Sequence, residues 1–366
     1  MSLLNQPAAY KIWIFAPYLE TEDPTLKFYY DYTQSIAEYT KVFAEINCDW
    51  EWVNVTIHNV DECIARVKGY SDRQSIVLNL CDGDEINDVP GISVIHALDK
   101  SGITYTGSDS YFYRMTTSKI TMKEAFGKAG VSMPEWQKLN GRIDPNLFKK
   151  VGDTIIVKPA VSAGSMGISV KNVVSDKQQL KEVVNSMRQG FKGWKLDGAG
   201  ILAEQFIIGK EFTTLLVGSH QNPGRIKFYQ PIERVFHEGL PETEQFLSFD
   251  RLWESYEEET PMPDNGFFYE YQPVTDPELV KRLKKLSIDA FKAVKGTGYA
   301  RLDFRMDKNT GQLFVLEINS QCGLSEDENY TSIGAILRVS NKTFTNLIVE
   351  VLDDALHRHP QLKLYV

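Results

Sequence analysis

The sequence predicts an α/β fold, an α+β composite of more than one unit, on three observations. Its 366 residues run to about two or three times the usual domain length. In the N-terminal third, short apolar runs alternate with stretches of helical period, the rhythm of a parallel sheet with covering helices. Near the C-terminus, two runs that alternate polar and apolar residues flank a turn, which reads as an antiparallel hairpin with one polar face.

The elements follow in order. Residues 11–16 (KIWIFA) are β-branched and aromatic and stop at Pro17, a strand. Tyr32, Ile36, Tyr39, Val42 or Phe43, and Ile46 form a helical stripe. Strands are expected at 52–57 and at 76–80, the second ending in Cys81-Asp82-Gly83-Asp84. A helix at 91–100 leads to a strand at 103–105 and a turn at Gly107. A helix at 119–128 stops at Gly130, and strands follow near Trp136 and at 154–157. The small-residue loop 160–167 comes next, then a strand at 168–173, a lysine-rich helix at 177–189 and a strand at 201–206. Asp276 as N-cap, Pro277, Glu278 and the face Leu279, Leu283, Leu286, Ala290 and Val294 predict a further helix. Strands at 299–306 and 313–318 flank the turn at 309–311. The acidic stretch 239–266 has no clear period and reads equally as a solvated loop or a lid, and the HRH run at 357–359 as a solvated tail. Three units are expected, at 1–115, 116–212 and 213–366.

Composition narrows the function classes. Hydrophobic residues make up 42% and charged residues 24%, which excludes a disordered or coiled-coil chain. A net charge of −9 leaves no global footprint for nucleic acid or an anionic membrane. Four cysteines without CxxC spacing are expected to be reduced thiols. No secretory signal or apolar run long enough to span a bilayer is visible, so a cytoplasmic protein is expected.

Three blocks carry chemistry. In the late hairpin, Arg301 and Asp303 are two residues apart, as are Glu317 and Asn319, so each pair shares a strand face, with Leu302, Phe304, Leu316 and Ile318 on the other. Oxygen donors of this type suit a hard cation such as Mg²⁺, although an amphipathic hairpin with its polar face in solvent explains the pattern equally well. In the second block, Lys158 ends a strand and enters a loop bearing Ser162, Gly164, Ser165, Met166 and Gly167. Backbone N–H groups and one ammonium there could cradle phosphate, or the loop could be a plain turn. It lacks the Gly-Lys-Ser/Thr of a P-loop. In the third, Glu204, Gln205, Phe206, Ile207 and Glu211 read as a strand with acidic ends, which could seat a flat base or simply form a sheet edge.

In this order, and with 103–108 ahead of the lysine helix, the blocks resemble an ATP-grasp enzyme of the D-alanine–D-alanine ligase-like branch. The resemblance is specific from about residue 103 to 324. It implies an ATP-grasp fold with an N-terminal Rossmann-like (pre-ATP-grasp) domain, and an ADP-forming ligase that joins a carboxylate to an amine through an acyl phosphate. It further implies that Lys119 and Lys158 contact ATP phosphates and that the 162–167 loop closes over them. Glu204 and Ile207 would meet adenine, with Gln205 and Phe206 between them, and Glu211 the ribose. Asp303, Glu317 and Asn319 would hold two Mg²⁺ (or Mn²⁺). Arg301, with Ser165 and Gly323, would serve the reacting acyl group. The implied partners are a small-molecule carboxylate and an amino acid, neither nucleic acid nor a membrane, and a second copy in a homodimer. A non-catalytic ATP-binding regulatory protein on the same fold is the alternative, against which stands the presence of all four hairpin residues.

The substrate-reading positions depart from that family. Its Gly-rich segment after the first strand is here Pro17-Tyr18-Leu19-Glu20 and Phe28-Tyr29-Tyr30, and its His-Gly pair is Cys81-Asp82-Gly83-Asp84. Gly164 stands at the position of a serine, Cys322-Gly323 at that of Pro-Gly, and Glu328 near a serine that binds the acceptor carboxylate, with Ser325 as a substitute. These changes lead to the expectation that D-alanyl-D-alanine is not the favoured product. Tyr29, Tyr30, Asp82 and Asp84 are expected beside the cleft, where they would suit a larger carboxylate.

Overall fold

The computed structural model describes residues 6–22, 27, 30–139, 143–162, 164–254, 256, 259–262, 266–328 and 331–359. Four parallel strands open the chain: β1 (Tyr10–Pro17), β2 (Asp49–Val55), β3 (Gln74–Asn79) and β4 (Thr104–Tyr105), in the order β2-β1-β3-β4. Parallel neighbours need crossovers, which the helices Thr33–Glu45, Val60–Gly69 and Ile92–Ser101 supply. Ile12, Ile14, Ile76 and Leu78 pack on one side with Tyr39, Val42 and Phe43 of the first helix. Trp13, Phe15, Val53, Val55 and Val77 pack on the other with the second and third. Ile36, expected in the buried stripe, is instead exposed.

A second sheet is antiparallel: β5 (Trp136–Lys138), β6 (Ile155–Pro159), β7 (Val173–Val174) and β8 (Ile201–Gln205), ordered β5-β8-β6-β7. The helix Lys177–Gln189 covers it through Leu180, Val183, Val184 and Met187. The strand expected at 168–173 is mostly absent. Ser169 and Asn172 cap a 3₁₀ turn at Val170–Asn172, which leaves only Val173–Val174 to pair with β6.

The third sheet holds β9 (Gly209–Ser219), β10 (Lys227–Phe228), β11 (Ile232–Phe236), β12 (Tyr269–Pro273), β13 (Thr297–Asp307) and β14 (Leu313–Ser320). Its order is β12-β11-β9-β13-β14, with β10 also on β9. The run 203–213, read from sequence as one strand, is therefore two strands in different sheets. Residues 206–208 join them, and β9 begins at Gly209 with φ +147°, a conformation closed to other residues without strain. An expected unit boundary at 212/213 would cut β9. The helix Pro277–Ala293, capped by Asp276 as expected, covers the apolar face with Leu283, Ala290 and Phe291. A bulge after Asp303 brings Val315, not Leu316, opposite Phe304, so Val315 joins that core. The helices Ser332–Val339 and Phe344–Arg358 close the chain and pack toward β1, β3 and β9. The HRH run is no loose tail. Arg358 donates to the Tyr105 and Gly107 carbonyls, at 3.4 and 2.9 Å, and His359 lies against the Tyr105 ring.

Candidate active site

Sheet register builds the site in rungs on one face. One rung runs Arg234, Glu211, Arg305 across β11, β9 and β13. The next runs Thr213, Asp303, Glu317 across β9, β13 and β14, and a third pairs Arg301 with Asn319. Thr213 donates to Asp303 at 2.8 Å, and Arg301 approaches the other Asp303 oxygen at 3.2 Å. The Asn319 amide donates to Asp303 at 3.2 Å and to Glu317 at 3.3 Å. Among the described residues no cluster of three or more His, Cys, Asp and Glu forms, so two carboxylates and one amide oxygen are the donors here. That set fits Mg²⁺, which takes one or two carboxylates and fills its shell with water and phosphate.

The lysines come from the neighbouring elements. The helix Lys119–Ala129 docks its first turn on the end of β6, with the Lys119 amide on the Ala160 carbonyl at 2.7 Å. The Lys119 ammonium lies 3.5 Å from Glu317 and 3.3 Å from the Ser162 carbonyl. It thus bridges the phosphate-type loop and the late hairpin. Burial alone would raise the Glu317 carboxyl, but Lys119, Lys158 and Arg301 hold it down to about 2. Burial pushes Asp303 the other way, above its ordinary value, although Arg301 opposes it.

Lys158 donates to Glu204 at 2.7 Å. Lys123, which sequence reasoning missed, is ion-paired to the other Glu204 oxygen, and both side chains are only 1% exposed. Burial pushes the Glu204 carboxyl up, but the two ammonium groups outweigh it and keep it below the ordinary value. A signal was present, because Lys119 and Lys123 sit at i and i+4 on one helix face. Arg305, also missed, continues the Arg301/Asp303 alternation. It is 3% exposed, donates to Glu211 at 2.9 Å and to the Ile207 carbonyl at 3.0 Å, and lies over the Phe206 ring. With Arg234 on its other oxygen, the Glu211 carboxylate expected to meet ribose is already committed to two guanidinium groups.

The 162–167 loop is held from the acidic stretch. Trp253 donates to the Gly164 carbonyl at 2.9 Å, and Ser165 donates to the Leu247 carbonyl at 2.9 Å. Gly164 has φ +54°, and a side chain there would begin 3.1 Å from the Trp253 ring. The described part of 239–266 is solvated toward its ends, where 239, 241–243, 260 and 261 are exposed, and packed in its middle, where 246, 248–251 and 259 are buried. Phe246 and Phe249 join the core of the second sheet, and buried Arg251 pairs with Glu244 and Glu259. Met166 also packs into that core, so only its backbone remains to face a ligand. Phe206 and Ile207 are buried in the connection between sheets, Gln205 ends β8, and Gly323 is exposed after β14.

Several expected substrate contacts lie elsewhere. Glu328 is bound by Arg338 through two hydrogen bonds of 2.6 and 3.0 Å, so it does not present a charge to an acceptor carboxylate. Ser325 donates to Glu38 at 2.8 Å, and Asp84 caps its own loop by accepting from the Ile86 and Asn87 amides. Tyr30 is buried beside Tyr18, and Tyr29 lies outside the described residues. Asp82 is exposed, and Cys322 is a buried thiol that desolvation pushes up to about 11. No helix among the described residues is long and apolar enough to cross a membrane.

Comparison with known proteins places this geometry. A family model described as "D-ala D-ala ligase C-terminus" matches residues 128–353. A D-alanine–D-alanine ligase of Xanthomonas axonopodis pv. citri is 27% identical over 284 residues, covering 76% of this chain and 78% of that protein. One of Saccharophagus degradans is 26% identical over 307 residues, covering 82% and 84%. Among solved structures, the ATP complex of the Bacillus anthracis D-alanine–D-alanine ligase superposes with a TM-score of 0.67 at 19% identity, over 96% of this chain and 99% of that one. The Coxiella burnetii ligase gives 0.64 at 15% identity over 97% of each. The matched family model spans more than half of the chain, which therefore belongs to the D-ala D-ala ligase C-terminus family, with an ATP-grasp fold and the ATP-dependent, ADP-forming ligation of a carboxylate to an amine.

Proposed function

We propose that this ligase joins two small amino acids, with alanine the first donor and acceptor to test because the relatives are named for D-alanine. The observation that carries the reading is the shared face of Arg301, Asp303, Glu317 and Asn319, with the Lys119 ammonium 3.5 Å from Glu317.

In this reading the donor carboxylate oxygen attacks the γ-phosphorus of ATP, and ADP leaves. The acceptor amine then attacks the acyl carbon, phosphate departs, and the amine gives up a proton. Lys119 and Lys158 bind the phosphates, and amides of the 162–167 loop cover them. Asp303, Glu317 and Asn319 would hold two Mg²⁺, which supply neutralisation of the charge on the transferring phosphoryl group. Arg301 stabilises the oxyanion of the tetrahedral intermediate, with Ser165 and the Gly323 backbone bordering the acyl group. Adenine lies along Glu204, Gln205, Phe206 and Ile207, and Glu211 acts on the ribose side through Arg234 and Arg305. Three units are proposed, at 1–115, from 116 to the 206–208 connection, and from there to 366, because a boundary at 212/213 would cut β9. A homodimer and a cytoplasmic location complete the reading.

The test is Mg²⁺-dependent ADP release with pairs drawn from D- and L-amino acids and simple carboxylic acids. Release that needs one donor and one acceptor supports ligation and names them. Unchanged release in Asp303→Asn or Glu317→Gln would remove the metal assignment.

A further inference from the structure

At the end of β14 the chain leaves the sheet through a strained residue. Asn319 pairs with Arg301, strand pairing ends at Ser320, and Gln321 then takes φ +55°. That left-handed region suits glycine and is open to asparagine, but it disfavours a side chain such as glutamine. A non-glycine residue keeps this backbone only where its surroundings hold it, and such positions cluster at functional sites. The other described non-glycine residues with positive φ are exposed or half-buried, whereas Gln321 is 1% exposed.

The side chain shows what holds it. Its Oε1 accepts from the Ser108 amide at 2.8 Å, and its Nε2 donates to the Asn79 carbonyl at 2.6 Å. Asn79 ends β3 and Ser108 follows β4, so one side-chain amide satisfies a backbone donor and a backbone acceptor at two fully buried residues of the first unit. The seat is closely shaped, because a Cβ on Gly107 would lie 1.7 Å from the Gln321 oxygen. Neighbouring residues dock across the same junction. Ser320 and Thr116 share a hydrogen bond of 2.6 Å, and the Asp109 amide donates at 2.9 Å to Thr297, the first residue of β13.

Two groups of the candidate site flank this seat. Asn319, two residues earlier, is a proposed metal donor, and Gly323, two residues later, supplies the backbone proposed to border the acyl group. Strand pairing no longer guides the chain past Ser320, and the Gln321 amide takes over by tying the turn to the first sheet. Reacting groups must be held close to their working geometry, and a displacement of about 1 Å is enough to slow chemistry strongly.

We propose that Gln321 is a positioning residue of the ligase: its side-chain amide, seated on Ser108 and Asn79, fixes the turn after β14 and with it the placement of Asn319 and of the Gly323 backbone. It acts through those two residues and touches neither ATP nor substrate itself. This rests on the ligase reading above and deepens it by adding a residue that sets the rate of the chemical step.

The test uses the intact chain with ATP, Mg²⁺ and alanine, each enantiomer in turn, and reads ADP release. If another amino acid gives faster release, it takes the place of alanine. Gln321→Asn keeps an amide and eases the backbone, since asparagine enters the left-handed region more readily, but it is one methylene too short to reach both partners. It is expected to lower kcat by about ten-fold to a hundred-fold, to raise the Mg²⁺ concentration for half-maximal rate, and to leave the KM for ATP unchanged. Gln321→Glu supplies a pH signature. Its ionised carboxylate accepts from Ser108 but repels the Asn79 carbonyl, whereas the protonated form donates to it. Asn79, Gly107 and Ser108 carry no titratable group, and Arg358, which donates to the Gly107 carbonyl, stays charged. Burial raises the new carboxyl, so kcat relative to the wild type is expected to recover as pH falls from about 9 to 6. A folded Gln321→Asn protein with unchanged kcat overturns the inference and leaves the ligase reading standing. One that does not fold overturns it too, because the contact then serves the fold alone, as does a Gln321→Glu ratio that stays flat across that pH range. Absence of ADP release by the wild type on every amino acid would end both readings.

Discussion

Replacing Lys123 by methionine tests the buried ion cluster while Lys119 and Lys158 stay in place. Lys123 and Glu204 are each 1% exposed, and Lys158 holds the second Glu204 oxygen at 2.7 Å. Methionine fills most of the lysine stem but carries no charge, so the change subtracts one ammonium and little packing. Breaking a buried pair costs about 3–5 kcal/mol when the remaining charge is stranded. Lys158 stays on Glu204, so the lower end applies, about 3 kcal/mol. In a cooperative unit of 150–250 residues this lowers Tm by about 6–12 °C.

The same change alters ATP affinity. In the wild type one carboxylate is shared by two ammonium groups, which leaves the cluster net positive. In the variant Glu204 neutralises Lys158 alone. A hydrogen bond to a charged group is worth about 1.5–3 kcal/mol, so the KM for ATP is expected to rise by about ten-fold or more. Thermal unfolding and ADP release against ATP concentration read the two effects. Lys123→Met/Glu204→Gln removes both members of the buried pair but leaves the Lys158 ammonium without its carboxylate, and a double-mutant cycle measures the coupling between Lys123 and Glu204. A Lys123→Met protein that melts within about 1 °C of the wild type and keeps its KM would refute the reasoning.

Further outcomes follow from other contacts. Trp253→Ala removes the hydrogen bond to Gly164 and is expected to raise the KM for ATP and speed amide exchange across 162–167; unchanged exchange would show that the loop holds itself. Gly298→Ala places a Cβ into the Gly107 carbonyl at φ +78° and is expected to cost about 2–4 kcal/mol in denaturant unfolding. A loss under about 1 kcal/mol would mean the contact is soft. His359 is pushed from 6.5 down to about 4 by burial and by Arg358. Its unfolded form binds a proton that the folded form refuses, so stability present above about pH 6.5 is lost as pH falls toward 4, by at most about 3 kcal/mol before solvent screening. His359→Gln is expected to flatten that slope, and an unchanged slope would assign it to other groups.

Legibility differed between residues for physical reasons. Arg301, Asp303, Glu317 and Asn319 were readable as one face because strand side chains alternate every second residue, and the register pairs them directly. The Asp276 cap and the stop at Gly130 (φ +68°) were readable because capping is local backbone chemistry. The break at 206–208 was not, since an apolar strand pattern does not say which sheet it joins. The fates of Glu328, Ser325 and Asp84 were also hidden. Their partners are Arg338, Glu38 and two loop amides, and which partner wins depends on geometry that a ligand pocket and a surface ion pair share in sequence.

From the chain alone came the alternating elements, the polar face of the late hairpin, two lysines and the family these resemble, because each is written in short-range period and residue type. The folded molecule decided the rest: that Lys119 reaches Glu317 from another element, that Lys123 lies behind Glu204, and that Arg234 and Arg305 both hold Glu211. Those relations join residues tens to hundreds apart, and burial, which sets the strength of each charge, exists only once the sheets have packed.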